Sequence, residues 1–363
     1  MRARRWVATG FGGLDDFEFV DAVVPDPGPG EVTIEVRAAG VNPADLKHVR
    51  RESDPDKLPL PVGYEVSGVI TAVGPDTRIG SGDVAIGDEV LAFRVRGGYA
   101  TALTVSADTV FAKPPTLGFA EAACLLLAGS TAADMMRAAR TDRDETIVLH
   151  GASGAVGIAV LQLARLRGIR VIGTASPDNL EKVRAFGGLP VPYDAPDLAA
   201  RIRAVADPFS PAAALDAVGT DDAVSASLEL VADRTRIVTV AATGRAASDG
   251  FVALGGGQPE SAQFRDSVRP LLIRLASTGD LQVPIARTFP LAEAVEALRL
   301  VSGGHAGGKV ALLAGRLNPC RRQCAPWSPL PPGGRSTSPT PDAESGRRQG
   351  HRRSAGPRVD DAR

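Results

Sequence analysis

The sequence predicts an α/β protein in which a β-rich unit is combined with a parallel sheet of alternating strands and helices. Three observations lead to this prediction. Short segments of alternating apolar and polar residues dominate the first 120 residues. Predicted strands alternate with predicted helices from about residue 146 to 240, and a glycine-rich turn follows the first strand of this second region. The chain has 363 residues, 44% apolar and 23% charged, which suits a globular protein of two ordinary domains.

The β-rich part is indicated by segments in which apolar and polar residues alternate. These segments are residues 31–38, 66–73 and 89–93. A period of two is typical of a strand with one buried face. The proline- and glycine-rich run at 25–30 predicts a turn before the first of them.

The parallel sheet is indicated by strands that alternate with helices. The predicted strands are 147–150, 170–174, 213–218 and 236–240, and the predicted helices are 156–167, 179–186 and 222–231. This alternation favours a parallel sheet covered by helices. Two further helices are predicted over 267–277 and 291–301, and a strand over 309–313 is expected to return to the β-rich unit.

The expected domains are therefore 1–120 plus 262–314 for the β-rich unit, and an inserted nucleotide unit over 121–261. Residues 315–363 contain eight Pro, ten Arg and four acidic residues, so this tail carries +6 and the rest of the chain −7. Without apolar periodicity, the tail is expected to be disordered. It is interpreted either as a basic tether or as an unselected extension, and we favour the extension.

Cysteine usage and charge limit the classes of function. The three cysteines, Cys124, Cys320 and Cys324, are too few for a disulfide framework and fit a reducing compartment. A metal site at Cys320 and Cys324 lacks the usual further ligands. No segment is long and apolar enough to suggest a membrane span, and the acidic body gives no reason to expect nucleic-acid binding. We therefore expect a cytoplasmic protein.

The most informative segment is residues 146–157, which predicts a strand, a glycine turn and a helix. In a dinucleotide fold the backbone at such a turn approaches the pyrophosphate, and the helix N-terminus presents free N–H groups to it. Gly154 would allow the approach, and Gly157 would allow close packing of helix on strand. Ala152 stands where the first glycine of the pattern is usual. The alternative is an ordinary glycine-rich loop.

The end of the next strand bears on the choice of cofactor. NAD-selective sites place an acidic residue there, whereas this chain has Thr174 and Ser176, with Lys182 following. A hydroxyl and an ammonium would favour the 2′-phosphate of NADPH, and Asp178 is the main argument against it. Lys182 could instead be a solvated helix charge.

The residues of this turn resemble a family signature. The pattern Asp144-Glu145-x6-Ala152-Ser153-Gly154-x2-Gly157-x4-Gln162-x2-Arg165 is similar to that of zinc-free medium-chain dehydrogenases/reductases of the quinone oxidoreductase (zeta-crystallin-like) branch. Val148 and Ala155 depart from it. Segments 38–45 and 61–69 resemble the family's active-site segments, and 304–310 resembles its C-terminal closure.

The resemblance, which covers about residues 1–314, implies a GroES-like β-rich catalytic domain enclosing a Rossmann domain that binds NADPH. Zinc-containing relatives have a Cys in the first active-site segment and a His in the second. Asn42 and Tyr64 occupy these positions here, so we expect no metal. Relatives are often dimers, and a homodimer is expected.

Three residues are candidates for catalysis by this resemblance. Asn42 would contact the nicotinamide end of the cofactor, or be a turn residue before Pro43. Asp45 would orient the segment, or be a helix N-cap. Tyr64 would polarise or protonate the substrate oxygen, or pack as an aromatic ring.

The remaining candidates would line the cofactor. They are the turn residues Ala152, Ser153, Gly154, Ala155, Val156 and Gly157, then Thr174, Ser176 and Lys182, and finally Thr131, Tyr193, Val218, Ala241 and Lys309. Thr131 is expected near a helix start beside the nicotinamide, Tyr193 near the adenosine or against a loop, and Val218 near the nicotinamide ribose. His150 is interpreted as a packed residue, and Asp134 has no explanation at this stage.

The expected reaction is hydride transfer from NADPH to a quinone or a similarly activated carbonyl without zinc. One alternative is reduction of an enone or enoyl thioester by NADPH. Another is an NADPH-binding sensor with little turnover, which only the basic tail favours.

Overall fold

The computed structural model describes residues 1–194, 196–304 and 306–315. The predicted tail from residue 316 onward, with Cys320 and Cys324, and His305 lie outside these ranges. The strands are β1 (Arg2–Ala8), β2 (Phe17–Val23), β3 (Glu31–Val41), β4 (Leu60–Pro61), β5 (Glu65–Val73), β6 (Glu89–Phe93), β7 (Ala102–Ser106), β8 (Val110–Ala112), β9 (Thr146–His150), β10 (Arg170–Ala175), β11 (Leu189–Pro192), β12 (Ala213–Asp216), β13 (Ile237–Thr239), β14 (Val252–Ala253), β15 (Ile285–Pro290) and β16 (Lys309–Leu313).

The helices connect and cover these strands. They are α1 (Pro43–Arg51), α2 (Phe119–Ala123), α3 (Leu126–Ala138), α4 (Ala155–Leu166), α5 (Leu180–Ala185), α6 (Leu198–Ala206), α7 (Asp221–Leu230), α8 (Thr243–Asp249), α9 (Pro259–Ser267), α10 (Arg269–Ser277) and α11 (Ala294–Ser302). The chain is therefore mixed α/β, as the sequence predicts. No helix in the described residues is both long and apolar enough to cross a membrane.

The β-rich part contains a 3-stranded sheet, β2-β1-β4, and a 7-stranded sheet in which β15-β16-β3-β5-β6-β8 are adjacent in that order and β7 also pairs with β3. The last strand, β16, runs antiparallel to β3, with Val310 opposite Val41. The prediction that residues 309–313 return to the β-rich unit is confirmed. One apolar core, with Ile34, Val66 and Ile70 at its centre, fills this part.

The second part is a 6-stranded parallel sheet in the order β11-β10-β9-β12-β13-β14. The strand order reverses between β9 and β12, which is where an open α/β sheet leaves a crevice at its carboxyl edge. Apolar side chains pack on both faces of this sheet. Leu91 and Phe93 of β6 join the core on one face, so this core extends to the β-rich part.

Several element boundaries differ from the sequence predictions. The predicted helix 267–277 corresponds to the last residue of α9 and the whole of α10. The helix is interrupted at Val268, because Pro270 lies in the first turn of α10. The predicted helix 291–301 begins with a single 3-10 turn, and α11 starts at Ala294. Thr131 was expected near a helix start and instead lies inside α3. Its hydroxyl donates to the carbonyl of Leu127 one turn earlier, at 2.7 Å.

Candidate active site

The glycine turn after β9 has the geometry of a phosphate-binding turn. Gly151 has φ +78, and a Cβ there would lie 2.5 Å from Cγ2 of Val218. At Gly157 a Cβ would lie 2.3 Å from the carbonyl oxygen of Gly151, so only glycine lets α4 pack this closely. The tight turn is therefore made by Gly151, one residue before the alanine that replaces the first glycine of the usual pattern.

The turn exposes backbone N–H donors, but it buries Ala152, which was one of the residues expected to contact the cofactor. Ser153, Gly154, Ala155 and Val156 are partly exposed at the start of α4. Within the described residues, the N–H groups of Ala155, Val156 and Gly157 have no backbone acceptor, which leaves them free for an anion. The side chain of Ala152 is fully buried, and its N–H donates to the carbonyl of Thr174 at 3.0 Å, so Ala152 holds the turn from inside.

The carboxyl edges of β12 and β13 are joined by a buried carboxylate. Asp216 accepts the hydroxyl of Thr239 at 2.6 Å and the N–H groups of Val218 and Gly219 at 3.0 and 2.8 Å. Thr239 in turn accepts the N–H of Ala241 at 3.0 Å. This network places Val218, which is 49% exposed, at the rim of the crevice. Val218 and Ala241 thus lie at the sheet edge where a dinucleotide would pass.

His150 lies beside Asp216 across the parallel pair of strands and is 1% exposed. Its Nδ1 lies 3.1 Å from the hydroxyl of Thr174, and its Nε2 has no hydrogen-bond partner. Burial lowers the pKa of this imidazole to about 4, against the attraction of Asp216. His150 is therefore neutral at physiological pH and packed inside the sheet, away from solvent.

The residues expected to select the cofactor surround the end of β10. Ser176 accepts the side-chain amide of Asn179 at 2.7 Å and is partly exposed, and Tyr193 is 53% exposed at the end of β11. Lys182 donates to the carbonyl of Gly307 in the loop before β16. Burial lowers the pKa of Lys182. The ammonium therefore bridges the two sheets instead of projecting into solvent.

On the β-rich side, Asn42, Glu65 and Lys309 form a buried polar triad. Lys309 donates to Glu65 Oε1 at 2.6 Å and to Asn42 Oδ1 at 2.7 Å, and Asn42 Nδ2 donates to Glu65 Oε1 at 2.9 Å. Glu65 Oε2 accepts the N–H of Leu127 at 3.0 Å, which ties the triad to α3. A Cβ at Gly40 would lie 2.5 Å from Glu65 Oε1, so glycine there makes room for the carboxylate.

The triad fixes the charge state of Lys309. Burial alone would lower the pKa of its ammonium, but the attraction and hydrogen bond of Glu65, together with the attraction of Asp45, raise the pKa above the usual value. Lys309 therefore remains charged although only 4% of the residue is exposed to solvent. The Asn42 amide has both its oxygen and its nitrogen bonded to protein groups, so its orientation is set by Glu65 and Lys309.

Asp45 lies behind this triad in a second buried contact. Its Oδ2 accepts the N–H of Asn42 at 2.8 Å and the hydroxyl of Tyr99 at 2.7 Å, whereas its Oδ1 has no partner. Asp45 is the third residue of α1, and Asn42 is the N-cap, so the alternative that Asp45 itself caps the helix is wrong. Burial, opposed by the Tyr99 and Asn42 hydrogen bonds, raises the pKa of Asp45 to about 7.

Tyr64 is half-buried at the start of β5, and the imidazole of His48 lies edge-on to its ring at 4.4 Å. Burial raises the pKa of the phenol to about 12. The side chain thus keeps its proton at neutral pH and can donate a hydrogen bond.

Thr131 is held by a buried ion-pair network. Its hydroxyl accepts Nη1 of Arg265 at 3.1 Å, and Arg265 Nε donates to Asp134 at 3.0 Å. Asp134 is fully buried and also pairs with Arg137 at 2.8 Å. The carboxylate on α3 that the sequence left unexplained is therefore the centre of the contact between α3 and α9.

One cleft brings the two halves of the site together. It is lined by Ala155 of the phosphate turn and by Lys309 of the triad, with Gly129 and Cys124 between them. Burial raises the pKa of the Cys124 thiol to about 12, so the thiol stays protonated and is a poor nucleophile. Among the described residues, no group of three or more His, Cys, Asp or Glu could hold a metal ion.

Sequence reasoning missed Glu65, Tyr99 and Arg265. Glu65 lies within the segment 61–69, directly after Tyr64, and a carboxylate in a β-strand otherwise composed of small and apolar residues was the available signal. Tyr99 and Arg265 gave no comparable signal, because their partners Asp45 and Asp134 lie 54 and 131 residues away.

Comparison with known proteins agrees with this geometry. Residues 28–115 match the family described as alcohol dehydrogenase GroES-like domain, and residues 191–312 match the family described as zinc-binding dehydrogenase. The chain is 38% identical over 207 residues to the synaptic vesicle membrane protein VAT-1 homolog of Mus musculus, an alignment covering 55% of this chain and 50% of that protein.

A second relative is the quinone oxidoreductase of Mus musculus, 36% identical over 167 residues that cover 45% of this chain and 49% of that protein. The chain thus spans about half the length of these curated relatives.

Two solved structures share the fold over most of the chain. The quinone oxidoreductase from Coxiella burnetii is 28% identical with a TM-score of 0.71, covering 86% of this chain and 99% of its own. A mycobacterial protein solved in complex with NADPH is 26% identical with a TM-score of 0.73, covering 86% of this chain and 99% of its own. The described residues therefore adopt a fold that these proteins share from end to end.

Proposed function

Because the chain belongs to the medium-chain dehydrogenase/reductase family, we propose that it is an NADPH-dependent, zinc-independent oxidoreductase that transfers a hydride to a quinone or a similarly activated carbonyl. The observation that carries this proposal is the shared cleft. A phosphate-binding turn with free N–H groups reaches it from one side, and the charged Lys309 reaches it from the other. The quinone oxidoreductases among its relatives support the choice of acceptor.

The residues at the turn fit a dinucleotide. Glycine at 151 and 157 lets the backbone fold tightly, and the start of α4 offers unpaired N–H donors and the positive end of the helix dipole to a pyrophosphate. We propose that residues 152–157, Thr174, Val218 and Ala241 line the cofactor, with the contact at Ala152 made by its backbone.

The preference for NADPH over NADH is proposed from the end of β10. This strand leads to Ser176 and not to a carboxylate, and Lys182 supplies an ammonium with donors beyond the one used by Gly307. Tyr193 is exposed beside them and can cover the adenosine. The NADPH complex of a structural relative supports this choice.

NADPH, when bound, supplies the hydride, and the acceptor also needs a proton to reach the hydroquinone level. Tyr64 keeps its phenolic proton and hydrogen-bonds the acceptor oxygen as negative charge develops there, while solvent delivers the proton that is finally transferred. Lys309 adds a fixed positive charge at the cleft, and Glu65 and Asn42 hold it in place. Asp45 fixes the backbone of Asn42, and Thr131 borders the nicotinamide end.

The proposal assigns no step to zinc. Asn42 and Tyr64 stand where zinc-containing relatives have a Cys and a His, and neither an amide nor a phenol of raised pKa is a usual zinc ligand. The acceptor must therefore already be activated, as quinones and enones are. We further propose a cytoplasmic homodimer that binds neither membranes nor nucleic acid.

The proposal is tested by following NADPH and NADH oxidation with a panel of quinones and enones, using protein treated with a chelator. Turnover of quinones with NADPH that survives chelation is the expected result. Turnover of enones alone would transfer the assignment to enone or enoyl reduction. Tight NADPH binding with no turnover of any acceptor would favour the sensor, and a preference for NADH would contradict the role given to Ser176 and Lys182.

The role of Tyr64 is tested by Tyr64→Phe. Loss of one hydrogen bond to a developing oxyanion should lower kcat by about 10²-fold and leave the KM for NADPH unchanged. His48→Gln is the matched control, because it removes the ring that packs on Tyr64 while retaining the hydroxyl. Unchanged turnover of Tyr64→Phe on every acceptor would leave Tyr64 with a packing role only.

A further inference from the structure

The surface around Tyr64 carries positive charge that the proposed mechanism does not use. His48 packs on the Tyr64 ring, and Arg51 follows it one turn later at the end of α1. The segment after β6 is tied to Tyr64, because the N–H of Val95 donates to the Tyr64 carbonyl at 3.1 Å, and this tie brings Arg96 alongside. We call His48, Arg51, Tyr64 and Arg96 the Tyr64 rim.

The two arginines of the rim have no counter-charge. Within the described residues neither Arg51 nor Arg96 forms an ion pair or a side-chain hydrogen bond, and both are exposed. The adjacent carboxylate of Glu52 is taken by Lys57 at 2.7 Å. The pKa of His48 is lowered by partial burial and then by the charges of Arg51 and Arg96, so both charges act at the rim.

Other arginines of the described residues differ in this respect. Arg94 and Arg269 both pair with Asp266, and Arg265 pairs with the buried Asp134. These pairs join helices to one another or to the loop after β6, so a structural role accounts for them. Arg51 and Arg96 make no such contact, which leaves their guanidinium groups free to bind a ligand beside the half-buried phenol.

From this arrangement we infer that the Tyr64 rim selects acceptors carrying an anionic group. The acceptor's reactive carbonyl faces the Tyr64 hydroxyl, and its carboxylate, sulfonate or phosphate is held by Arg51 and Arg96. Guanidinium groups suit such planar or tetrahedral anions because they offer several fixed donors. This inference rests on the proposed function and narrows its substrate class to negatively charged activated carbonyl compounds.

The test compares a neutral naphthoquinone with the same quinone bearing a sulfonate, as acceptors for NADPH oxidation by the full chain. Wild-type protein should prefer the sulfonated quinone, and its kcat/KM for that acceptor should fall as salt is raised. Arg51→Gln with Arg96→Gln should lower kcat/KM for the sulfonated quinone about tenfold and change that for the neutral quinone less than twofold.

Arg2→Gln is the matched control, because Arg2 is another exposed, unpaired arginine of the β-rich part and lies at the start of β1. It should behave as wild type with both quinones. Equal losses for both quinones in the double variant, or no preference in wild type, would overturn the inference. So would a rise in the KM for NADPH that matches the loss, since the rim would then be part of the cofactor site.

Failure of the proposed function is distinguishable from failure of this inference. If neither quinone is reduced, titration calorimetry of the sulfonated quinone against NADP⁺-saturated protein shows whether the Tyr64 rim binds the anionic group. Salt-sensitive binding that the double variant loses and Arg2→Gln retains would support the rim as an anion site. Absence of binding to wild-type protein would overturn it.

Discussion

At the scale of single residues, the site depends on charges that are buried together. Glu65 and Lys309 form a pair whose side chains are 2% and 4% exposed, and Asn42 bonds to both. A buried pair is weak evidence for net stability, but removing one partner leaves an uncompensated charge. The triad therefore constrains substitution at each of its three positions.

Glu65→Gln should lower the free energy of unfolding by about 3 kcal/mol, because the Lys309 ammonium would remain buried without its counter-charge. Adding Lys309→Gln should restore part of that loss, and urea unfolding of both single variants and the double variant measures the coupling. The control is Glu229→Gln in the exposed pair with Arg203, where a loss below about 1 kcal/mol is expected. Additive losses at 65 and 309 would show that the two groups do not interact.

Asp45 should make stability depend on pH. Burial raises its pKa from 3.8 to about 7 in the folded protein, so between these values the folded state binds the proton more tightly than the unfolded state. The contribution of Asp45 to the free energy of unfolding is fully present below about pH 4 and is lost as the pH rises to 7.

Asp45→Asn retains an acceptor for Tyr99 and Asn42 but cannot ionise. Compared with this variant, wild-type protein should lose free energy of unfolding steadily from pH 4 to 7, as urea titrations at several pH values will measure. Glu65, Lys309 and Tyr99 face Asp45 in both proteins, so the difference isolates the carboxyl group. Parallel curves would mean that Asp45 is not perturbed.

At the scale of elements, the junction of β9 and α4 is set by glycine. The two glycines that the sequence singled out serve different purposes. Gly157 touches the preceding backbone, whereas a Cβ at Gly154 would meet only the carbonyl oxygen of Gly151 at 3.3 Å. Gly157 therefore limits packing, whereas we propose that Gly154 leaves room for an anion to approach the turn.

The two glycines should be separable by alanine substitution. Gly157→Ala places a Cβ 2.3 Å from the Gly151 carbonyl oxygen, so α4 must shift and the Tm should fall by several degrees, with about 1–3 kcal/mol lost. Gly154→Ala should leave the Tm near that of wild type and weaken NADPH binding, if the proposed phosphate contact at this turn requires a residue without a side chain. Gly244→Ala, with open space around it, is the control for both. The same Tm loss in all three would remove the distinction.

At the scale of the whole molecule, the two parts meet through contacts between residues far apart in the chain. Lys182 of α5 bonds to Gly307, and Gln162 of α4 bonds to Gln282 in both directions at 3.0 and 2.7 Å. Arg94 bonds to the carbonyl of Gly256 at 2.8 Å. Gln282 also lines the cleft, so one of these contacts lies directly beside the candidate site.

Lys182→Gln should therefore affect the choice of cofactor. If the ammonium binds the 2′-phosphate, the variant should show a smaller rise of Tm on adding NADPH and an unchanged rise on adding NADH. Arg184→Gln, a neighbouring exposed charge on the same helix, is the control. An equal reduction for both cofactors would mean that Lys182 only holds the two sheets together through Gly307.

The sequence by itself determined the class of the fold and the position of the glycine turn between β9 and α4. The strand at 147–150, the glycines at 154 and 157 and the helix after them are local features, because period, turn chemistry and helix start are decided within a few residues. The return of residues 309–313 to the β-rich sheet was also predicted, and β16 pairs with β3 as expected.

Only the tertiary structure decided which charges meet. Glu65 is 244 residues from Lys309, Asp134 is 131 residues from Arg265, and no local pattern links them. Burial also changed the chemistry of two neighbouring side chains, since desolvation raises the pKa of Asp45 and of Tyr64 by amounts that sequence position cannot give. Secondary structure depends mainly on residues that are neighbours in the sequence. A buried polar site depends instead on long-range packing that brings distant side chains into one low-dielectric space.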